Sequence, residues 1–220
     1  MIVMQPVLEA LPPADFALWP VAAVPSPGFS STGFLPLGGA MSRPEIGTAV
    51  MLIAAGNDLD PGVHGDDRPP RPADPLGSFL HGLLTFDTPY AAGGLRVTDT
   101  STGVVLVPGC CSGVEEWREW FEVLDGGGSA GFGHDPDPLA ERLGDTVRLT
   151  VDAERHDSPV IELPAAELRR LLAGAERDLA AFLDAAAAWA ARHIPDHAGP
   201  VTQALTRVLA LDSAPPPGVA

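Results

Sequence analysis

Leu168, Leu172, Ala175, Leu179, Phe182, Ala186, Trp189 and His193 follow one another at alternating steps of four and three. That spacing is a heptad stripe, and it predicts one continuous helix over 165–193. Pro164 suits a helix start, Glu167 lies near the positive end of the helix dipole and Arg192 near the negative end. Pro195 stops the run. At about 1.5 Å per residue the rod is roughly 40 Å long. Its apolar seam has to be covered by a sheet, by a second helix over 201–211, or by a second copy of the chain in a homodimer.

Much of the remaining chain reads as strands, so the class expected is α+β with a mostly antiparallel sheet. Leu95–Thr100 and Val104–Val107 flank Ser101-Thr102-Gly103, which predicts a hairpin over 95–107. Residues 146–152 alternate apolar and polar, and 160–163 form a second short run ending at Pro164. Hairpin strands followed by C-terminal helices argue against alternating βαβ units. Val50–Ala55 (VMLIAA) predicts a short buried strand, and Leu76–Phe86 fits a helix or a strand. Ser112 and Glu115 have the spacing of a capping box. Val114, Trp117, Phe121 and Leu124 then fall on one helical face, with Trp120 beside it. Residues 1–47 are dense in proline and glycine, which predicts an extended arm. The expected organisation is that arm, a single α+β domain over 48–212, and a disordered tail over 213–220 (SAPPPGVA).

Charge narrows the function classes. The net charge is -16, and all 13 basic residues are arginine. The missing lysine excludes a Schiff base and a P-loop. A field of this sign repels phosphates and anionic lipid, so neither nucleic acid nor a membrane surface is an expected partner. It attracts a basic protein partner. No apolar stretch is long enough to span a bilayer, and the N-terminus lacks the positive region of a secretory signal. Two adjacent cysteines offer no long-range disulfide framework, which fits a reducing, cytoplasmic setting.

Few residues suggest chemistry. Cys110 and Cys111 sit at a predicted strand-to-helix junction, where a helix dipole lowers a thiol's pKa. His134 is a candidate general base for them, and with Asp135 a candidate partner in a metal site. No paired-ligand motif such as C-x-x-C accompanies them, so none is assigned to a metal outright, and no cofactor is expected. Gly126–Gly131 fits G-x-G-x-x-G, but prolines follow it where a helix should open. Asp58, Asp60, Asp66 and Asp67 lack the spacing of a calcium loop. Glu115, Glu116, Glu119 and an exposed Trp120 form a candidate surface for a basic partner.

The segments VLVPGCCSGVEEWREW (105–120), GFGHDPDPLAERLGDTVRLTVD (131–152) and VIELPAAELRRLLAGAERDLAAFL (160–183) resemble an uncharacterised family of high-GC actinobacterial proteins. The resemblance covers roughly 95–195 and implies no activity, fold or site residue. The strand followed by a long acid-bearing helix is also similar in outline to some toxin-immunity proteins. The leading expectation is therefore a non-enzymatic acidic binding protein, of immunity or regulatory type. The alternative is a small enzyme or metal-binding protein using Cys110, Cys111, His134 and Asp135.

Overall fold

The computed structural model describes residues 1–13, 15–24, 33–62, 67–126 and 128–211. The tail over 213–220 lies outside them. Among the described residues, two antiparallel four-stranded sheets and five α-helices make an α+β architecture.

The first sheet runs in the order β2-β1-β3-β4, from Gly33–Pro36 (β2), Ile2–Ala10 (β1), Gly93–Asp99 (β3) and Val105–Leu106 (β4). The expected arm is thus corrected at its start: β1 is an interior strand, with Leu8 opposite Leu35 on one side and Gly93 on the other. Pro6 is tolerated there for a geometric reason. In a strand the N–H and carbonyl of one residue point the same way. The Pro6 carbonyl accepts from Leu37 N at 2.9 Å, just past the end of β2, so the missing N–H falls where the ladder stops. The hairpin expected over 95–107 is present, pairing Val97 with Leu106.

The second sheet runs β5-β6-β7-β8, from Ser129–Gly131, Leu139–Leu143, Thr146–Thr150 and Val160–Pro164. In β7, Val147 and Leu149 are buried, as their alternation predicts.

The expected strand at 50–55 is instead the C-terminal half of a helix, α1 (Arg43–Gly56). Ser42 and Glu45 form its capping box, with Ser42 N donating to Glu45 Oε2 at 2.7 Å. This bonding also holds the Glu45 carboxyl below its ordinary pKa. Every residue from Ile46 to Ala54 is buried. A helix apolar on all sides has no amphipathic period, and this is why VMLIAA resembles a buried strand. The segment at 76–86 is a helix, α2 (Pro75–Thr85), capped by Asp74, whose carboxylate accepts from Gly77 N at 2.6 Å.

The helix expected to start at Ser112 and to carry the Val114, Trp117, Phe121 and Leu124 face is broken in two. A 3-10 segment covers Val114–Arg118 and a short helix, α3, covers Trp120–Asp125. Ser112 and Glu115 do not form a capping box: the Ser112 hydroxyl donates to Glu116 Oε2 instead, at 2.6 Å.

The long helix α4 (Ala165–His193) is continuous, and Leu168 through Trp189 of its stripe are buried. Its seam is covered within one chain, by β1, α1 and the final helix α5 (Ala198–Val208). The stripe proposed for a homodimer is therefore already occupied. Leu and Phe side chains of both sheets and α4 belong to one continuous core.

Candidate functional site

Two loops meet, one following a strand of each sheet. One runs from β4 to the 3-10 segment and carries Pro108-Gly109-Cys110-Cys111-Ser112. The other joins β5 to β6 and carries Gly133-His134-Asp135-Pro136. They pair as a short antiparallel bridge between Cys110 and His134. Cys110 N donates to the His134 carbonyl at 2.6 Å, and His134 N returns a bond to the Cys110 carbonyl at 3.2 Å. Gly109 N adds a third bond, to the Phe132 carbonyl at 2.9 Å.

The approach is this close because the crossing points are glycines. A Cβ on Gly109 would sit 2.2 Å from the Pro136 carbonyl oxygen. A Cβ on Gly133, whose φ is +96°, would sit 2.7 Å from the Cys110 carbonyl oxygen. Below the crossing, Phe132 stacks on Trp120 with ring centroids 4.2 Å apart. The crossing therefore rests on an aromatic pair belonging to the core.

The crossing collects the residues singled out from the sequence. The ligand atoms of Cys110, Cys111 and His134 all lie within 4.8 Å of one another. Among the described residues no other trio of histidine, cysteine and carboxylate side chains gathers so closely. The two sulfurs are 3.5 Å apart, and both cysteines and His134 are exposed. Cys111 has φ +66°, in the left-handed region, where a non-glycine residue is uncommon. His134 Nδ1 lies 3.3 Å from Asp135 Oδ2.

The expected lowering of a thiol pKa by a helix dipole is not what the site does. Cys110 is pushed up instead, first by its hydrogen bond to Cys111 and then by the charge of that neighbour. The adjacent helical element is only the 3-10 segment, which begins three residues after Cys111.

Tyr90 and Glu115 flank this region and were not linked to it from the sequence. The Tyr90 hydroxyl donates to the Ser112 carbonyl at 2.7 Å, and the Asn57 side chain brackets the Tyr90 backbone at 2.7 and 2.9 Å. Tyr90 is held above its ordinary pKa by burial and then by the charge of Glu115. Burial raises the Glu115 carboxyl to about 7, with Glu116 adding to the effect. Its Oε2 is buried without a hydrogen-bond partner. Such long-range placements carry no signal in a local pattern.

The partner surface expected from the sequence is not assembled as expected. Trp120 is 1% exposed, so it is a core residue and not an anchor. Glu115 and Glu116 are half-buried and Glu119 is exposed. The G-x-G-x-x-G run follows α3 and leads into β5, the reverse of a dinucleotide-binding order. In the acidic loop, Arg71 pairs with Asp58 at 2.5 Å and Asp60 at 2.7 Å. His64 and Asp66 lie outside the described residues. Among the described residues, no helix is long and apolar enough to cross a membrane.

Comparison with protein-family models, with curated proteins and with solved structures finds no match.

Proposed function

We propose that this protein binds one thiophilic metal ion through Cys110, Cys111 and His134. The observation that carries the reading is the convergence of two thiols and an imidazole within 4.8 Å, from loops of two different sheets. Two thiolates at about 2.3 Å on a tetrahedral ion stand about 3.8 Å apart. The sulfurs are at 3.5 Å, so they need only a small opening to take such an ion. Sulfur and imidazole donors favour zinc and copper(I) over calcium or magnesium. Three protein donors on an exposed surface leave a coordination position open to water or to an external ligand. A carboxylate beside Nδ1 is the usual means of fixing an imidazole's tautomer, and Asp135 is placed for that role. The charge of -16 raises the local concentration of cations. Because the thiols must lose protons on binding, affinity rises with pH.

The test is a titration of the reduced full chain with Zn²⁺ against a chromophoric chelator, and with Co²⁺ followed by absorption. One ion per chain is expected, with thiolate-to-cobalt charge-transfer bands. The double variant Cys110→Ser/Cys111→Ser is expected to lose both signals while keeping the circular dichroism of the parent. Wild-type uptake no stronger than that of the double variant would sink the reading.

A second reading keeps the acidic surface. Glu119 is pushed above its ordinary pKa by burial and by Glu116 and Glu122, so like charges crowd together there. A basic peptide would relieve that repulsion. Binding of an arginine-rich peptide that weakens with salt, and weakens again in Glu116→Gln/Glu119→Gln, is the expected result. Salt-independent binding would remove it.

A further inference from the structure

The same two sulfurs have a second chemistry that does not need a metal. They are 3.5 Å apart, on consecutive residues, and both are exposed. The left-handed backbone at Cys111 puts a sharp turn between two residues whose sulfurs lie on the same side of the loop. A thiol oxidised at this position has its resolving partner already in contact, so a sulfenic acid is intercepted before it oxidises further. Neither sulfur has another cysteine to choose, because the chain holds only two.

We infer that Cys110 and Cys111 are a reversible two-electron thiol switch, oxidised by hydroperoxide, and that the resulting disulfide empties the metal site. In the first step a thiolate attacks the peroxide. An S–O bond forms, the O–O bond breaks, and hydroxide leaves to take up a proton as water. In the second step the neighbouring sulfur attacks the sulfenic sulfur. The S–S bond forms, the S–O bond breaks, and a second water leaves. Two thiols and one hydrogen peroxide thus give one disulfide and two waters; the sulfurs lose the two electrons that the peroxide gains. An external dithiol reverses it.

Reversibility follows from geometry. Consecutive Cα atoms across a trans peptide are about 3.8 Å apart, below the usual disulfide span of about 4.4–6.8 Å. A bond closed over that distance is strained, and strained exposed disulfides are the easily reduced ones. Closing it takes both thiolates out of the donor set and leaves His134 alone. The loop crossing itself stays in place, because its hydrogen bonds are backbone bonds through Gly109, Cys110 and His134. The gating half of the inference rests on the metal reading above; the disulfide half does not.

The experiment uses the full chain, reduced and then treated with one equivalent of hydrogen peroxide. Intact mass is expected to fall by about 2 Da, as a disulfide requires, with free thiols going from two to none and returning on dithiothreitol treatment. The oxidised form is expected to bind Zn²⁺ at least tenfold more weakly than the reduced form. Cys111→Ser is expected to stop at a sulfenic acid trapped by dimedone. A mass gain of oxygen without the 2 Da loss, or a disulfide-linked dimer, overturns the switch. A disulfide that leaves Zn²⁺ uptake unchanged overturns the gating. A disulfide in a chain whose reduced form takes up no Zn²⁺ upholds the switch and defeats the metal reading alone.

Discussion

Two loops of this protein carry clusters of metal-ligand residue types, and the fold treats them in opposite ways. In the loop after α1, the carboxylates of Asp58 and Asp60 meet the Arg71 guanidinium at 2.5 and 2.7 Å. That loop supplies its own cation. At the crossing of the β4 and β5–β6 loops, Cys110, Cys111 and His134 meet one another, and Asp135 Oδ2 lies 3.3 Å from His134 Nδ1. The first cluster is closed by an ion pair, and the second is exposed. A local count of acidic or sulfur residues does not distinguish them. The presence of a cation within reach does: Arg71, in the first loop, meets both carboxylates.

The largest effect that would break this contrast is loss of the crossing itself. Gly109→Ala places a methyl 2.2 Å from the Pro136 carbonyl, a backbone atom that cannot rotate away. We expect a stability loss of about 1–3 kcal/mol by urea denaturation and loss of Zn²⁺ uptake. Unchanged uptake would mean that the trio does not depend on the loops meeting. Next in size, Asp135→Asn removes the carboxylate beside His134 Nδ1 and is expected to weaken Zn²⁺ binding about tenfold, with the thermal midpoint unchanged. Equal affinity in a competition titration would show that Asp135 plays no part in orienting the ring.

Glu115 gives a pH test of the ground beneath the site. Its carboxyl is raised from an ordinary value of 4.5 to about 7, chiefly by burial. The folded state therefore favours the neutral form. The stability contribution is present in full below about pH 4.5 and is lost as pH rises through about 7. Allowing for its partial exposure, the loss by pH 8 is about 1–2 kcal/mol. Glu115→Gln should remove that slope between pH 5 and pH 8, and denaturation curves at the two values check it. A parallel slope in the variant would place the charge penalty elsewhere. The smallest effect belongs to the closed cluster. Arg71→Gln should cost under about 1 kcal/mol, as exposed ion pairs do, and should let the Asp58–Asp60 pair take up Ca²⁺ weakly by calorimetry. No uptake would show that Arg71 is not what keeps that loop closed.

The elements that could be read from residues were those whose burial is one-sided. Val147 and Leu149 are buried on either side of exposed Arg148, and the α4 stripe repeats cleanly, because each element has core on one face only. Elements buried on both sides gave the wrong type or none. The VMLIAA run lost its helical period because every face of α1 is covered. The capping box at Ser42 and Glu45 was a legible start signal for that helix, and it was missed. β1 was hidden by Pro6 at its middle and by pairing with partners about 30 and 90 residues away. Trp120 was misplaced because its ring reaches across to Phe132, beyond the face defined by Val114, Trp117, Phe121 and Leu124.

The site was legible only as a short set of candidate residues. Cys110, Cys111, His134 and Asp135 could be named because the chain has only two thiols and because His134-Asp135 sits in a turn-forming run. Nothing in their spacing says that they touch, since His134 lies 23 positions beyond Cys111. What the amino-acid sequence determined by itself was the class of the fold, the rod from Ala165 to His193 and the chemical types available, because these follow from local period and composition. The tertiary structure alone decided which of those groups meet. Two loops from different sheets approach within backbone hydrogen-bonding distance only because Gly109 and Gly133 have no side chain to hold them apart.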